Sequence, residues 1–437
     1  MLRRATFFEY VSWLKRVKRL ENSVAGKCGE FSEAIKGILH GEMEDLFMAK
    51  LPDYFGPAAF GVKMGVVVPG TDLNGMVVSA LCKVAEDGFL DNTDVICVTE
   101  SVVARAQNNF VSVDDVAKEL RRKLGLKENG KVGVVFPITS RNRFSMILAG
   151  IARAVPQGEV IVQLPFPADE VGNQIVSQEV AETLNLCDGL IRFEDLKYED
   201  CLHPITKVNY LAMYRDVIES QGAKATIFLS NDPTMIMKFF PDGVIAADIH
   251  SRHNTRKKLL AETKNCITLQ DLCNQGDSWS EWGLLGSNMS SGNKLKLAPR
   301  EASVFARNLR DSILAATGCN VEVLVYGDGA YKDPSTGIYE LADPMPVFGM
   351  TEGFQGRFRE GIKYKYLADV CHDEGKCVAE IEAHLAEKCR EPFERNHIMT
   401  EGTTPRRVED VIASLADLVS GSADAGTPVV IVKNILR

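Results

Sequence analysis

Residues 132–155 read Val-Gly-Val-Val-Phe-Pro-Ile-Thr-Ser-Arg-Asn-Arg-Phe-Ser-Met-Ile-Leu-Ala-Gly-Ile-Ala-Arg-Ala-Val. The apolar run Val132 to Pro137 predicts a buried strand, and the longer apolar run Phe144 to Val155 predicts a helix. Between them lies the polar loop Ile-Thr-Ser-Arg-Asn-Arg. A strand, a polar loop and a helix in that order present helix N–H groups to an anion. Ser140, Arg141 and Arg143 are therefore candidate phosphate ligands, the arginines through charge-assisted bonds. The plainer reading is a βα loop with surface arginines. Further strands are expected at Val160–Leu164, Ala225–Leu229 and Gly243–Ile249, separated by helical stretches. The spacing predicts a parallel βαβ module over residues 130–265. No Gly-x-Gly-x-x-Gly follows its first strand, which argues against a dinucleotide fold.

The same alternation flanks this module, so the expected class is α/β. Val62 to Val68 predicts a strand, and Thr71-Asp72 opens a helix with apolar residues at Met76, Val77, Ala80, Leu81 and Val84. Asp94 to Thr99 predicts a second strand, ending in Glu100-Ser101, and Val113 to Leu124 a further helix. Four segments follow: a helical extension over 1–57, a first core part over 58–129, the module over 130–265, and a second core part over 266–437. Residues 1–47 are expected to be loosely attached, even a product of an upstream start codon.

The second core part holds the densest chemistry. Val321 to Val325 predicts a strand that stops at Gly327-Asp328-Gly329. Lys332, Asp333, Glu340 and Asp343 follow. Carboxylates beside a tight backbone suit a hard divalent cation holding a phosphate. An ordinary Asp-Gly turn is the competing reading. Upstream, Leu284 to Pro299 predicts a flexible, donor-rich loop carrying Asn288, Ser290, Ser291, Asn293 and Lys294. A helix from Glu301 to Thr317 ends at Gly318 and feeds the cassette strand. The chain closes with a helix, Val408 to Val419, and a strand, Val429 to Val432. His250 and His253, in a basic loop, are expected to be structural or anion-facing.

Composition narrows the class. The 437 residues carry a net charge of −9, which argues against nucleic-acid binding. No apolar run approaches a membrane span, and the N-terminus lacks the apolar stretch of a secretory signal, so a cytoplasmic protein is expected. The 11 cysteines form no Cys-x-x-Cys pair and read as reduced thiols. Cys371-His372, Cys377 and Cys389 lack zinc spacing and read as part of a charged helical surface.

Four separated pieces together resemble the gamma-glutamyl ligase family that adds glutamate to the deazaflavin coenzyme (coenzyme F-420-0:L-glutamate ligase). They are Val66 to Leu73 with Asp94 to Gln107, Gly286-Ser-Asn, Leu297 to Arg310 leading to Val325-Tyr-Gly-Asp, and Ser414 to Asp424 with Pro428 to Val432. Relative to the short members, residues 130–265 are an insertion. Gly329-Ala330 stands where the family has Thr-Phe, Ser290 or Ser291 where it has an acid, and Glu100-Ser101 where it has Ser-Lys. The resemblance implies an ATP- or GTP-dependent ligase, using Mg2+ or Mn2+, that activates an acceptor carboxylate as an acyl phosphate for attack by L-glutamate. It implies Asp328 as principal metal ligand with Glu340 or Asp343 as helper, Lys332 and Arg406 as catalytic charges, and a homodimer. The expected acceptor is the deazaflavin coenzyme or a folate. The alternative is a catalytically altered regulator of the same fold that binds a nucleotide or anion. A two-domain oxidoreductase is disfavoured by the missing glycine-rich turn.

Overall fold

The computed structural model describes residues 51, 54–184, 189–328, 331–332, 339–340, 343–359, 362–388, 406–420 and 426–436. The expected extension at 1–47 lies outside them. Two sheets organise the chain. The first is five-stranded, and both flanks of the chain build it: β1 (Ala58–Val62), β2 (Val95–Thr99), β12 (Glu322–Tyr326), β15 (Val347–Met350) and β18 (Val429–Lys433). Their order across the sheet is β1-β18-β2-β12-β15. β2 and β12 are its parallel pair, in register from Val95↔Glu322 to Thr99↔Tyr326. One face packs on α1 (Leu73–Glu86) and α8 (Ala302–Thr317), through Val77, Leu81, Leu309 and Ile313. The other packs on α11 (Val408–Ser420) through Ile412 and Ala416. Both faces are covered, so the central strands are apolar throughout rather than alternating.

Local chemistry sets the helix ends. Asp72 caps α1 by accepting the Gly75 N–H at 3.0 Å. Ser112 and Asp115 form a reciprocal capping box on α3 (Val113–Leu124), which ends at Gly125 with φ 64°. The expected strand over Val62–Val68 is displaced: the ladder covers Ala58–Val62, and Val66 and Val68 are exposed. Its partner β18 begins at Val429, opposite Val62; Pro428 before it has no N–H to extend the ladder, and Met64 N donates to Gly426 O at 2.8 Å beyond it. Pro69 follows with no N–H to offer.

The second sheet is six-stranded. Its strands are β4 (Lys131–Val135), β5 (Glu159–Leu164), β6 (Ile191–Arg192), β7 (Lys224–Leu229), β8 (Gly243–Ala246) and β9 (Cys266–Thr268). They lie in the order β6-β7-β5-β4-β8-β9. All pairings are parallel except β6 on β7. The chain fills one side of β4 and then returns to the other, so the strand order reverses between β4 and β8. Helices α3, α4 (Phe144–Ala154) and α6 (Tyr210–Glu219) pack with this sheet in one apolar core. Between β10 (Asn288–Met289) and β11 (Lys294–Lys296) the chain turns back on itself and pairs with β3 (Phe110–Ser112). The expected flexible loop over Leu284–Pro299 is thus a β-hairpin.

Asp248 follows β8 and is 1% exposed. One carboxylate oxygen accepts from Thr255 Oγ1 at 2.8 Å, and the other has no hydrogen-bond partner among the described residues. Burial pushes the carboxyl up to about 7, with Glu170 adding to the rise. Such a group favours the fold while protonated, and that contribution is lost as pH rises from the unfolded value near 4 to about 7. Asp248→Asn should therefore flatten the pH dependence of stability across this window, by up to about 4 kcal/mol. Denaturant melts at pH 4.5 and pH 7.5 test it, and an unchanged pH slope contradicts it.

Candidate active site

β2 and β12 end side by side, and the charged side chains gather at that edge. Glu100 leaves β2 and opens α2 (Glu100–Ala106). Asp328 leaves β12 across Gly327, where an added Cβ would sit 2.4 Å from Asp343 Oδ2 and 2.5 Å from Phe348 Cε2. Only glycine lets the backbone pass there. Asp343 is buried, and its Oδ2 accepts the Asp328 N–H at 2.9 Å. The two acidic residues are thus locked to one another.

Arg143 enters from the other sheet. It precedes α4, and its backbone N–H donates to Ser140 Oγ at 3.1 Å. Its Nη1 donates to Asp343 Oδ1 at 2.8 Å, and its Nη2 to Asp328 Oδ2. The loop carrying it is held tightly. Asp169 accepts from Thr139 N at 2.7 Å and from Thr139 Oγ1 at 2.8 Å, and Tyr214 Oη accepts from Ser140 N at 3.0 Å. At the exit of β4, Phe136 has φ 56°, a strained conformation for a bulky side chain. The hairpin fastens on the same loop, since Met289 N donates to Asn142 O at 2.7 Å. Its far strand delivers Lys296, whose Nζ lies 2.7 and 2.6 Å from the two oxygens of Glu100. Both partners of this pair are buried.

The electrostatics follow from this crowding. Burial pushes the Asp328 carboxyl up to about 7, the Asp343 charge adds to it, and Arg143 opposes it. Burial also raises Glu100, against the pull of Lys296 and with a further push from Asp343. Burial would lower Arg143, but the Asp343 and Asp328 charges outweigh it and hold the guanidinium above its usual range. Three bonded carboxylates face two cations in a partly dry site, and the Asp417 charge adds to the rise at Asp328.

A family model described as F420-0:Gamma-glutamyl ligase matches residues 61–434. The chain belongs to this gamma-glutamyl ligase family. The match runs through the six-stranded sheet as well as the core. A search of curated proteins returned no match. Family membership makes a ligase role, with a small-molecule acceptor and glutamate, the fitting class of activity. Among the described residues no helix is long and apolar enough to cross a membrane.

Of the residues singled out in the sequence, the structure brings Asp328, Asp343 and Arg143 together. Ser140 anchors the backbone of Arg143, and Arg141 is exposed on the same loop. Asn288 pairs with Lys296 across the hairpin; Ser290 N donates to Lys294 O at 2.9 Å; Ser291, Asn293 and Lys294 lie exposed at its tip. Lys332 and Glu340 lie on β13 (Tyr331–Lys332) and β14 (Tyr339–Glu340), which pair with each other and whose backbone alone is described. Arg406 is exposed on β17 (Arg406–Arg407), directly before α11. The buried Glu100–Lys296 pair beside this cluster was not among the candidate site residues read from the sequence, where Glu100 stood only as a strand end.

Among the described residues no group of three His, Cys, Asp or Glu side chains is arranged to hold a metal ion. Mg2+ requires less, one or two carboxylates with phosphates and waters completing the shell. The hard oxygen pair of Asp328 and Asp343, converging on a cation already present, fits that requirement.

Proposed function

We infer that the protein is a nucleotide-dependent gamma-glutamyl ligase. The observation that supports this best is the convergence of Asp328, Asp343 and Arg143 on one point at the ends of the parallel strands β2 and β12. In this reading Asp328 and Asp343 hold Mg2+ or Mn2+. The ion, when bound, neutralises phosphate charge during transfer from ATP or GTP. The chain's own residues do the positioning. Hairpin donors at Asn288, Ser290, Ser291, Asn293 and Lys294 meet phosphate oxygens, together with Ser140 and Arg141 on the loop that the hairpin grips. Lys332 and Arg406 supply further positive charge toward the acceptor carboxylate and glutamate.

Chemistry then runs in two steps. An acceptor carboxylate oxygen attacks the γ-phosphorus and the nucleoside diphosphate leaves. The α-amine of L-glutamate attacks the resulting acyl phosphate, losing a proton as the amide forms and inorganic phosphate departs. No nucleophilic side chain is needed, and the buried thiol of Cys97 is pushed further from reactivity by its burial. The acceptor is a deazaflavin coenzyme or folate-like carboxylate, and the acting unit a homodimer.

Nucleotide binding tests the reading without knowledge of the acceptor. Titrating the full chain with GTP or ATP should give saturable binding that requires Mg2+ and, with one of the two carboxylate ligands gone, weakens by roughly tenfold or more in Asp328→Asn. Absence of metal-dependent nucleotide binding would remove the ligase reading. Binding with no turnover for any acceptor would favour the regulator, to which the serines in place of an acid at 290–291 also point.

A further inference from the structure

Arg143 holds the place a cation would take. One nitrogen of its guanidinium bonds Asp343 and the other bonds Asp328, so the group fills the convergence of the two carboxylates. A single positive charge is a poor match there. Asp328, Asp343 and Glu100 bring three negative charges when ionised, and Arg143 and Lys296 bring two positive ones. Exchanging Arg143 for a divalent cation balances the charges of these bonded groups, and Asp417, a further negative charge acting on Asp328, favours the higher positive charge. The exchange needs no movement of the loop, because Asp169, Tyr214 and Ser140 fix its backbone while the guanidinium hangs at the end of a flexible stem. A phosphate group arriving with the ion offers the freed guanidinium a bidentate partner.

We propose that Arg143 is a resident counter-ion that competes with the divalent cation for Asp328 and Asp343, and that it passes to the phosphate when the metal nucleotide binds. The parallel-sheet module thereby sets the affinity of the core for its metal. This rests on the reading of Asp328 and Asp343 as the cation ligands, and the test separates the two claims.

The probe is Mn2+ alone, followed by electron paramagnetic resonance of the free ion, with the full chain and no nucleotide. Arg143→Gln should bind Mn2+ at least about tenfold more tightly than the parent protein, since a like charge is removed within contact distance. Arg143→Lys, which retains the charge, should stay near the parent affinity. Thermal melts establish that each variant is folded. With Mg-nucleotide as ligand the order should invert, Arg143→Gln binding more weakly than the parent. Equal or weaker Mn2+ binding by Arg143→Gln overturns the competition. Mn2+ binding that survives in Asp328→Asn/Arg143→Gln overturns the assignment of the ligands, and no binding in any variant overturns both.

Discussion

Asp328→Asn should lower metal-dependent glutamyl transfer by at least about 100-fold, because a principal charge clamp on the phosphates is lost. The substitution keeps the size of the side chain and its place beside Gly327. The amide oxygen it introduces can still accept from Arg143, so the fold should survive. Indeed, removing a carboxyl that burial and Asp343 push up to about 7 should leave stability at neutral pH unchanged or raised. Loss of activity with an unchanged or higher melting temperature is therefore the expected pattern, measured by product formation and calorimetry. A variant that retains turnover would place the metal elsewhere. A variant that unfolds would assign Asp328 a structural role instead.

Lys296→Met should destabilise the fold strongly. Glu100 and Lys296 are both buried, and Lys296 contacts both oxygens of Glu100. Truncating one member of a buried pair strands the other charge, at a cost of about 3–5 kcal/mol. Glu100, already raised by burial, would take up a proton to limit the loss, so the deficit of the variant should shrink as pH falls. The double variant Glu100→Gln/Lys296→Met should recover much of the stability, since the stranded charge is gone. Urea unfolding of the two single variants and the double one measures this coupling. Additive losses in the double variant would mean that the pair does not act as a unit.

Much of the fold was legible because its central strands are covered on both faces. Val132 to Val135, Val160 to Leu164 and Val321 to Val325 are unbroken apolar runs or nearly so, and each holds a strand in the structure. Asp72, Ser112 and Gly125 show equally plain helix boundaries. The error at Val62–Val68 arose because exposed valines imitate a buried run, and only the partner β18 decides where the ladder stops. The hairpin at 288–296 was masked by its small polar turn. Its signal was the alternation Lys294-Leu295-Lys296-Leu297, in which both leucines are buried.

Within the site, Asp328 was legible from the glycines around it, and Arg143 from its position before a helix. That they meet was not, since 185 residues separate them and only the docking of the two sheets joins them. Lys296 carried no signal of its own in the segment Leu284–Pro299, and Glu100 read as a charge after a strand. Their pairing across 196 residues is a tertiary fact. The hint available was a lone acid directly following five apolar or β-branched residues, Val95 to Thr99, with no room for solvent.

Glutamyl transfer itself gives the most direct test. The purified full chain would be incubated with L-glutamate, Mg2+ or Mn2+, GTP or ATP, and in turn the deazaflavin coenzyme, dihydrofolate, tetrahydrofolate or no acceptor. Mass spectrometry should show one acceptor gaining a glutamyl unit, with an equal amount of phosphate released and neither seen without metal. Nucleotide bound with metal, but no acceptor gaining mass and no phosphate released, would contradict the ligase account and leave an anion-binding regulator.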